Sequence, residues 1–212
     1  MIERITFITS GWHEHERSEE WVVWGNAGDI LSLDVVPRPW RTFKPMERER
    51  WLEDARHMAR PGGIVSVDPY TVGSHPAIQI VYKREQGSER EQGSGYRYTG
   101  ILVIEFGEYW CQVTVVCGER GTTGIREAVV TPKLLDDGTI KIRKHPCYLR
   151  LFKRSSGYIE GLFADPYDPK YRGIILRNVA DNEEYDDEFP DHPLSRLRST
   201  LKTVRDSLQF SR

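Results

Sequence analysis

The loop Gly118-Glu119-Arg120-Gly121-Thr122-Thr123-Gly124 has the residue types to hold an anion. It joins an expected strand to an expected helix. Backbone amides in such a loop, and at a helix N-terminus, point at a phosphate or carboxylate. Arg120 and Arg126 would supply charge, so Arg120, Gly121, Thr122, Thr123, Gly124 and Arg126 form a candidate anion-binding set. The loop is not a Walker A motif, because no Gly-Lys-Ser/Thr ending follows. It is not a dinucleotide fingerprint, because the glycine spacing is wrong and the preceding hairpin implies an antiparallel sheet. The plainer reading is a structural turn in which Thr122 or Thr123 caps the helix.

A second candidate is the segment 181–191, DNEEYDDEFPD, with seven carboxylates in eleven positions. Asp181, Glu183, Glu184, Asp186, Asp187 and Glu188 carry like charge, and Tyr185 and Phe189 are interleaved aromatics able to anchor an interface. A basic protein partner is the expected match, with salt-sensitive association. The spacing does not fit an EF-hand, and the central glycine is absent. The plainer reading is a solvated acidic loop whose charge complements the N-terminus of the next helix.

Other chemistry is sparse. His13 and His15 alternate in GWHEHE, but nothing nearby supplies the third and fourth ligands of a metal site, so a solvated turn is expected. No metal and no cofactor are expected. His57 falls in an amphipathic stretch, and His75 and His145 precede prolines in turns. No serine sits in a Gly-x-Ser-x-Gly elbow and no cysteine has a nucleophile signature, so no catalytic residue is nominated.

Composition bounds the answer. The 212 residues are 38% hydrophobic and 11% aromatic, enough for a real core in one domain spanning 1–212. The formal charge of −2 argues against a general nucleic-acid binder, which needs a basic surface. Cys111 and Cys117 lie six residues apart on one expected strand, about 20 Å, too far for a disulfide. With Cys147 they read as reduced thiols of a cytoplasmic protein. The N-terminus MIERITFITSGW has no apolar h-region, and no apolar run reaches the 18 or so residues of a membrane span.

Elements that would position these groups follow from periodicity. Residues 96–106 and 109–117 alternate across a Gly107-Glu108 turn and form a long hairpin. Tyr96, Tyr98, Gly100, Leu102, Ile104 and Phe106 share one face of the first strand, and Tyr109, Cys111, Val113, Val115 and Cys117 share one face of the second. Both faces are apolar near the centre, so cover on both sides is expected. Residues 4–9, 20–25, 29–36, 64–68 and 76–83 read as further strands, with strand pairing at 139–143 and 148–153 and a short strand at 174–179. Helices are expected at 46–60, where Trp51, Leu52, Ala55, Met58 and Ala59 form a stripe, and near 121–130. In the last helix Leu194, Leu197, Leu201, Val204 and Leu208 repeat at helical spacing. Asp191 or His192 would cap it, and Pro193 suits its first turn. The residues EQGSEREQGSG at 85–95 read as a flexible hairpin loop. The fold class is α+β, a mainly antiparallel sheet of about six strands flanked by helices on both faces.

This order of elements resembles the PsbP-like fold. The likeness rests on the early turn Ser10-Gly11-Trp12 with its paired strands, the helix 46–60, and the small-residue turn Gly73-Ser74-His75-Pro76-Ala77. The hairpin 96–117 and the closing leucine helix 194–208 complete it, over most of residues 1–210. The resemblance implies a central antiparallel sheet with helices on both sides, and binding or scaffolding more than catalysis. It transfers no catalytic residue. The expected function is a non-enzymatic binding or accessory domain acting through a protein partner. The alternative is a small-ligand or anion-binding enzyme using residues 118–126.

Overall fold

The computed structural model describes residues 2–37, 47–86, 95–144 and 157–211. The elements in chain order are β1 (Ile5–Thr6), β2 (His13–Arg17), β3 (Trp21–Asn26), β4 (Asp29–Pro37), α1 (Arg48–Ala59), β5 (Gly63–Val72), β6 (His75–Glu85), β7 (Tyr96–Phe106), β8 (Tyr109–Gly118), α2 (Ile125–Asp136), β9 (Lys141–Lys144), β10 (Gly157–Glu160), β11 (Phe163–Ala164), β12 (Arg177–Asn178), α3 (Pro193–Ser207) and β13 (Gln209–Phe210). Seven of the strands make one antiparallel sheet in the order β2-β3-β4-β8-β7-β6-β5. The class is α+β, as expected, with one strand more than the six anticipated.

The hairpin β7–β8 is the centre of the sheet, with Leu102 opposite Val113 and Ile104 opposite Cys111. Strand alternation sends these side chains to one face, where the leucine stripe of α3 covers them. Gly100 lies directly beneath α3. A Cβ there would stand 2.6 Å from Leu201 Cδ1 and 2.8 Å from Leu197 Cδ2, so only glycine lets the helix come this close. The intervening residues Ile101 and Val103 point to the other face and meet Trp51, Ala55 and Ala59 of α1. Helices thus flank both faces of the sheet.

α2 does not lie on the sheet. Its Val130 and Leu134 form a separate small core with Ile140, Leu162 and Ala180. It therefore stands at the end of the sheet, beside a short 3-10 turn at Val179–Asp181. β13 pairs with β1 and ties the chain after α3 to the N-terminal segment.

Several boundaries differ from expectation. The strand expected at 4–9 is only Ile5–Thr6, preceded by a 3-10 turn. His13 and His15 lie on β2, an exposed edge strand, where a turn was expected. The helix expected near 121–130 runs from Ile125 to Asp136. β9 pairs with β10, while the expected strand at 148–153 and Cys147 lie outside the described residues. Of the loop expected at 85–95, Glu85 ends β6 and residues 87–94 lie outside the described residues. Among the described residues no helix is long and apolar enough to cross a membrane.

Candidate functional site

One end of the sheet gathers an unusual amount of buried charge. Lys83 on β6, Tyr98 on β7 and Cys117 on β8 are neighbours on one rung and point to the α3 face. Above them lie the Val179–Asp181 turn, the first turn of α2 and the N-terminus of α3. Burying a charge is costly unless it is paired and hydrogen-bonded. Here the chain meets that condition in one cluster and leaves it unmet in another.

The satisfied cluster centres on Asp181, which is fully buried. Its carboxylate accepts from Lys83 Nζ at 2.7 Å, Tyr98 Oη at 3.0 Å and the Asn178 amide at 2.9 Å. Burial pushes the Asp181 carboxyl up, but Lys83 and these hydrogen bonds outweigh it and hold the group below its ordinary range. The Tyr98 hydroxyl is held well above its ordinary range, by burial first and by Asp181 next.

Arg126, expected to serve an anion at the loop, is instead buried in the same region. Nε donates to Ala180 O at 2.5 Å and Nη2 to Asn182 O at 2.6 Å. Nη1 donates to Asp186 Oδ1 at 2.8 Å and Ser195 Oγ at 2.9 Å. Arg198 holds the same Asp186 carboxylate and donates to Asp181 O at 2.7 Å. Much of the acidic segment is therefore internally neutralised. Asp181 and Asp186 are engaged by Lys83, Arg126 and Arg198, Glu188 pairs with Lys133 at 2.5 Å, and Glu183 lies 3.7 Å from Arg198 Nε. Glu183, Glu184, Asp187 and Glu188 are exposed, whereas Tyr185 and Phe189 pack partly against the small core under α2.

The glycine loop also differs from its expected role. Gly121 and Gly124 have positive φ, and Gly124 is the N-cap of α2, so neither Thr122 nor Thr123 takes that place. The Gly124 and Tyr96 backbone groups favour the ionised Glu119 carboxylate, against its burial. The anion seated by this loop is thus the chain's own. Arg120 pairs with Asp29 at 2.6 Å, and Arg196 holds the same carboxylate at 2.8 Å.

The unsatisfied cluster joins Glu119, Glu127 on the first turn of α2, and His192. Seven buried side-chain polar atoms among the described residues lack a hydrogen-bond partner. Four of them meet here: Glu119 Oε2, Glu127 Oε1 and Oε2, and His192 Nε2. Each such orphan costs about 1–3 kcal/mol, so four in one place need a common explanation. His192 Nδ1 accepts from the Leu194 amide at 3.2 Å and so caps α3, which leaves Nε2 facing Glu119 Oε1 at 4.0 Å. Burial, and then the Glu127 charge, push the Glu119 carboxyl up to about 7. Burial, and then Arg126, push His192 down to about 3, so the ring is neutral at neutral pH. A Cβ on Gly95 would lie 2.5 Å from Glu119 Oε2, so a side chain there would push this carboxylate aside.

A cleft of about 240 Å³ opens beside this cluster, lined among others by Glu119, Thr122, Ile125, Phe189, Pro190 and His192. The structure thereby brings the glycine loop and the end of the acidic segment together, which the sequence treats as separate candidates. Glu119, Glu127 and His192 carried no expectation as site residues. The available signals were a carboxylate inside the glycine loop and a histidine just before the helix-starting proline.

No family model matches the chain, and no curated protein matches it. Among solved structures it is similar to a chain from Bacteroides thetaiotaomicron, with 10% identity and a TM-score of 0.38, covering 56% of this chain. The chain spans 40% of that protein's length. It is also similar to cyanobacterial PsbP from Synechocystis, with 10% identity and a TM-score of 0.39, covering 64% of this chain and 85% of that one. The second match agrees with the architectural resemblance to the PsbP-like fold. Neither likeness bears on what the chain binds.

Proposed function

We propose that this chain is a non-enzymatic binding domain that acts through a protein partner at the cleft between α2 and residues 188–193. The observation that carries the reading is the lip of that cleft. Ile125 and Val129, one turn apart on α2, stand 50% and 38% exposed. Phe189 and Pro190 wall the cleft together with Ile125, and Glu188 and Asp191 line it as well. An apolar patch inside a polar rim is the form of a protein-binding surface. The rim carboxylates suit a basic partner.

The anion-binding alternative has less support. Both arginines it would use are held by carboxylates, and the loop backbone at Gly124 favours the Glu119 carboxylate. His192, with its proton affinity so depressed, is a poor general base at neutral pH. Nucleic acid is not expected as the partner. A cytoplasmic setting suits the buried free thiols of Cys111 and Cys117.

The test is capture from the native cell extract with the parent chain and an Ile125→Asp/Val129→Asp variant, each over a salt series. The parent should retain a defined protein, at least ten-fold more than the variant and less at high salt. Equal retention by both chains would overturn the reading.

A further inference from the structure

We propose that Glu119, Glu127 and His192 form a binding site for a divalent metal ion of the zinc class. This inference is independent of the protein-partner reading. Candidate ligand atoms of the three side chains lie within 4.8 Å of one another. The side chains of Glu119 and His192 keep only 4% and 7% of their surface. Glu119 Oε2, both Glu127 oxygens and His192 Nε2 have no hydrogen-bond partner. Three carboxylate oxygens and one ring nitrogen left in this state call for an occupant such as a water or an ion.

The charge balance says what that occupant is. The two buried cations nearest in the fold are committed elsewhere, Lys83 to Asp181 at 2.7 Å and Arg126 to Asp186 at 2.8 Å. Two carboxylates are therefore left facing each other with a neutral imidazole. A water molecule would supply hydrogen bonds only. A divalent cation would take the free lone pairs as ligands and balance the carboxylate charge in one step. Two carboxylate oxygens and one imidazole nitrogen form a donor set that zinc accepts, with ligand bonds of about 2.0–2.2 Å. Ligand atoms around such an ion stand about 3.3 Å apart, so the three side chains close by about 1 Å or more on binding. Glu119 and His192 also line the cleft, which leaves the fourth position open to water from that side.

His192 has two duties that compete. Its Nδ1 accepts the Leu194 amide, so in the metal-free chain the ring proton sits on Nε2. Coordination through Nε2 moves that proton to Nδ1, opposite the same amide. The ion is therefore held in exchange for the cap of α3, and both events occur together.

The chain, stripped by a chelator, is titrated with Zn²⁺ by calorimetry, and bound zinc is counted by atomic absorption. One zinc per chain is expected. Glu127→Gln and His192→Asn should each weaken binding at least ten-fold, and asparagine keeps the cap while removing the imidazole. Circular dichroism checks that both variants are folded, and nitrogen NMR of His192 should show Nε2 lose its proton on zinc addition. His13→Ala/His15→Ala, on the exposed edge strand, should bind as the parent does. Zinc binding that follows His13 and His15, no binding by the parent, or equal binding by Glu127→Gln and His192→Asn would each overturn the proposal. Because no partner takes part, these failures leave the protein-binding reading standing.

Discussion

Asp181 and Glu119 are two buried carboxylates at the same end of one sheet, yet their surroundings differ in kind. Asp181 accepts from a lysine, a tyrosine and a backbone amide, and its charge is held in place. Glu119 has one oxygen without a partner, a second carboxylate beside it, and a neutral histidine at 4.0 Å. The first arrangement is what a scaffold needs, because both carboxylate oxygens meet donors. The second is costly as it stands, and such cost persists at sites with a task. Burial of charge alone does not separate structure from function; the completeness of the partners does.

The largest effect that would sharpen this contrast is at Lys83. Lys83→Met leaves Asp181 buried without its counter-ion and should lower the unfolding free energy by about 3–5 kcal/mol in a denaturant titration. A loss under about 1 kcal/mol would mean that Asp181 is not held by this pair.

Next comes the support beneath α3, which carries His192 to the cluster. Gly100→Ala forces a methyl group against Leu197 and Leu201 and should cost about 1–3 kcal/mol. Because α3 must lift, amide exchange should also quicken at Leu194. If the variant matches the parent in both measurements, the close packing of α3 on β7 is not required.

A smaller effect is expected from pH. The Asp181 carboxyl is depressed in the folded chain, so the unfolded chain binds its proton first as pH falls. Its contribution is fully present above the ordinary value of 3.8 and is lost as pH falls through the lower folded value. Stability measured from pH 5 downward should fall, and Asp181→Asn should flatten that slope. An unchanged slope in the variant would contradict the assignment. The smallest expected effect is at the cysteines. Burial pushes Cys111 up to about 12 and Cys117 higher still, so neither should be alkylated in the folded chain. Peptide mapping after iodoacetamide treatment checks this.

The scaffold was far more legible in the sequence than the site. The period-2 pattern of 96–117 and the helical stripes of 46–60 and 194–208 match β7, β8, α1 and α3 because each helix buries one stripe and the strands send alternate side chains to opposite layers. The seventh strand was missed since β2, HEHER, is exposed at every position and carries no apolar alternation. Arg126 looked available because its burial depends on α2 standing beside the Val179–Asp181 turn, a contact without a local signature. Asp181 looked solvated for the same reason. Glu119, Glu127 and His192 come from a loop and the starts of two helices, and only the fold brings them within reach of one another.

The central claim is that one cluster is scaffold and the other a site, and paired unfolding of Glu127→Gln and the parent, both metal-free, tests it most directly. The substitution removes one of two facing like charges and the favourable charge at the α2 N-terminus, two opposed effects of similar size. The variant should therefore stay within about 1 kcal/mol of the parent or exceed it. A loss as large as that of Lys83→Met would show that Glu127 holds the fold together, and the contrast between the two clusters would fail.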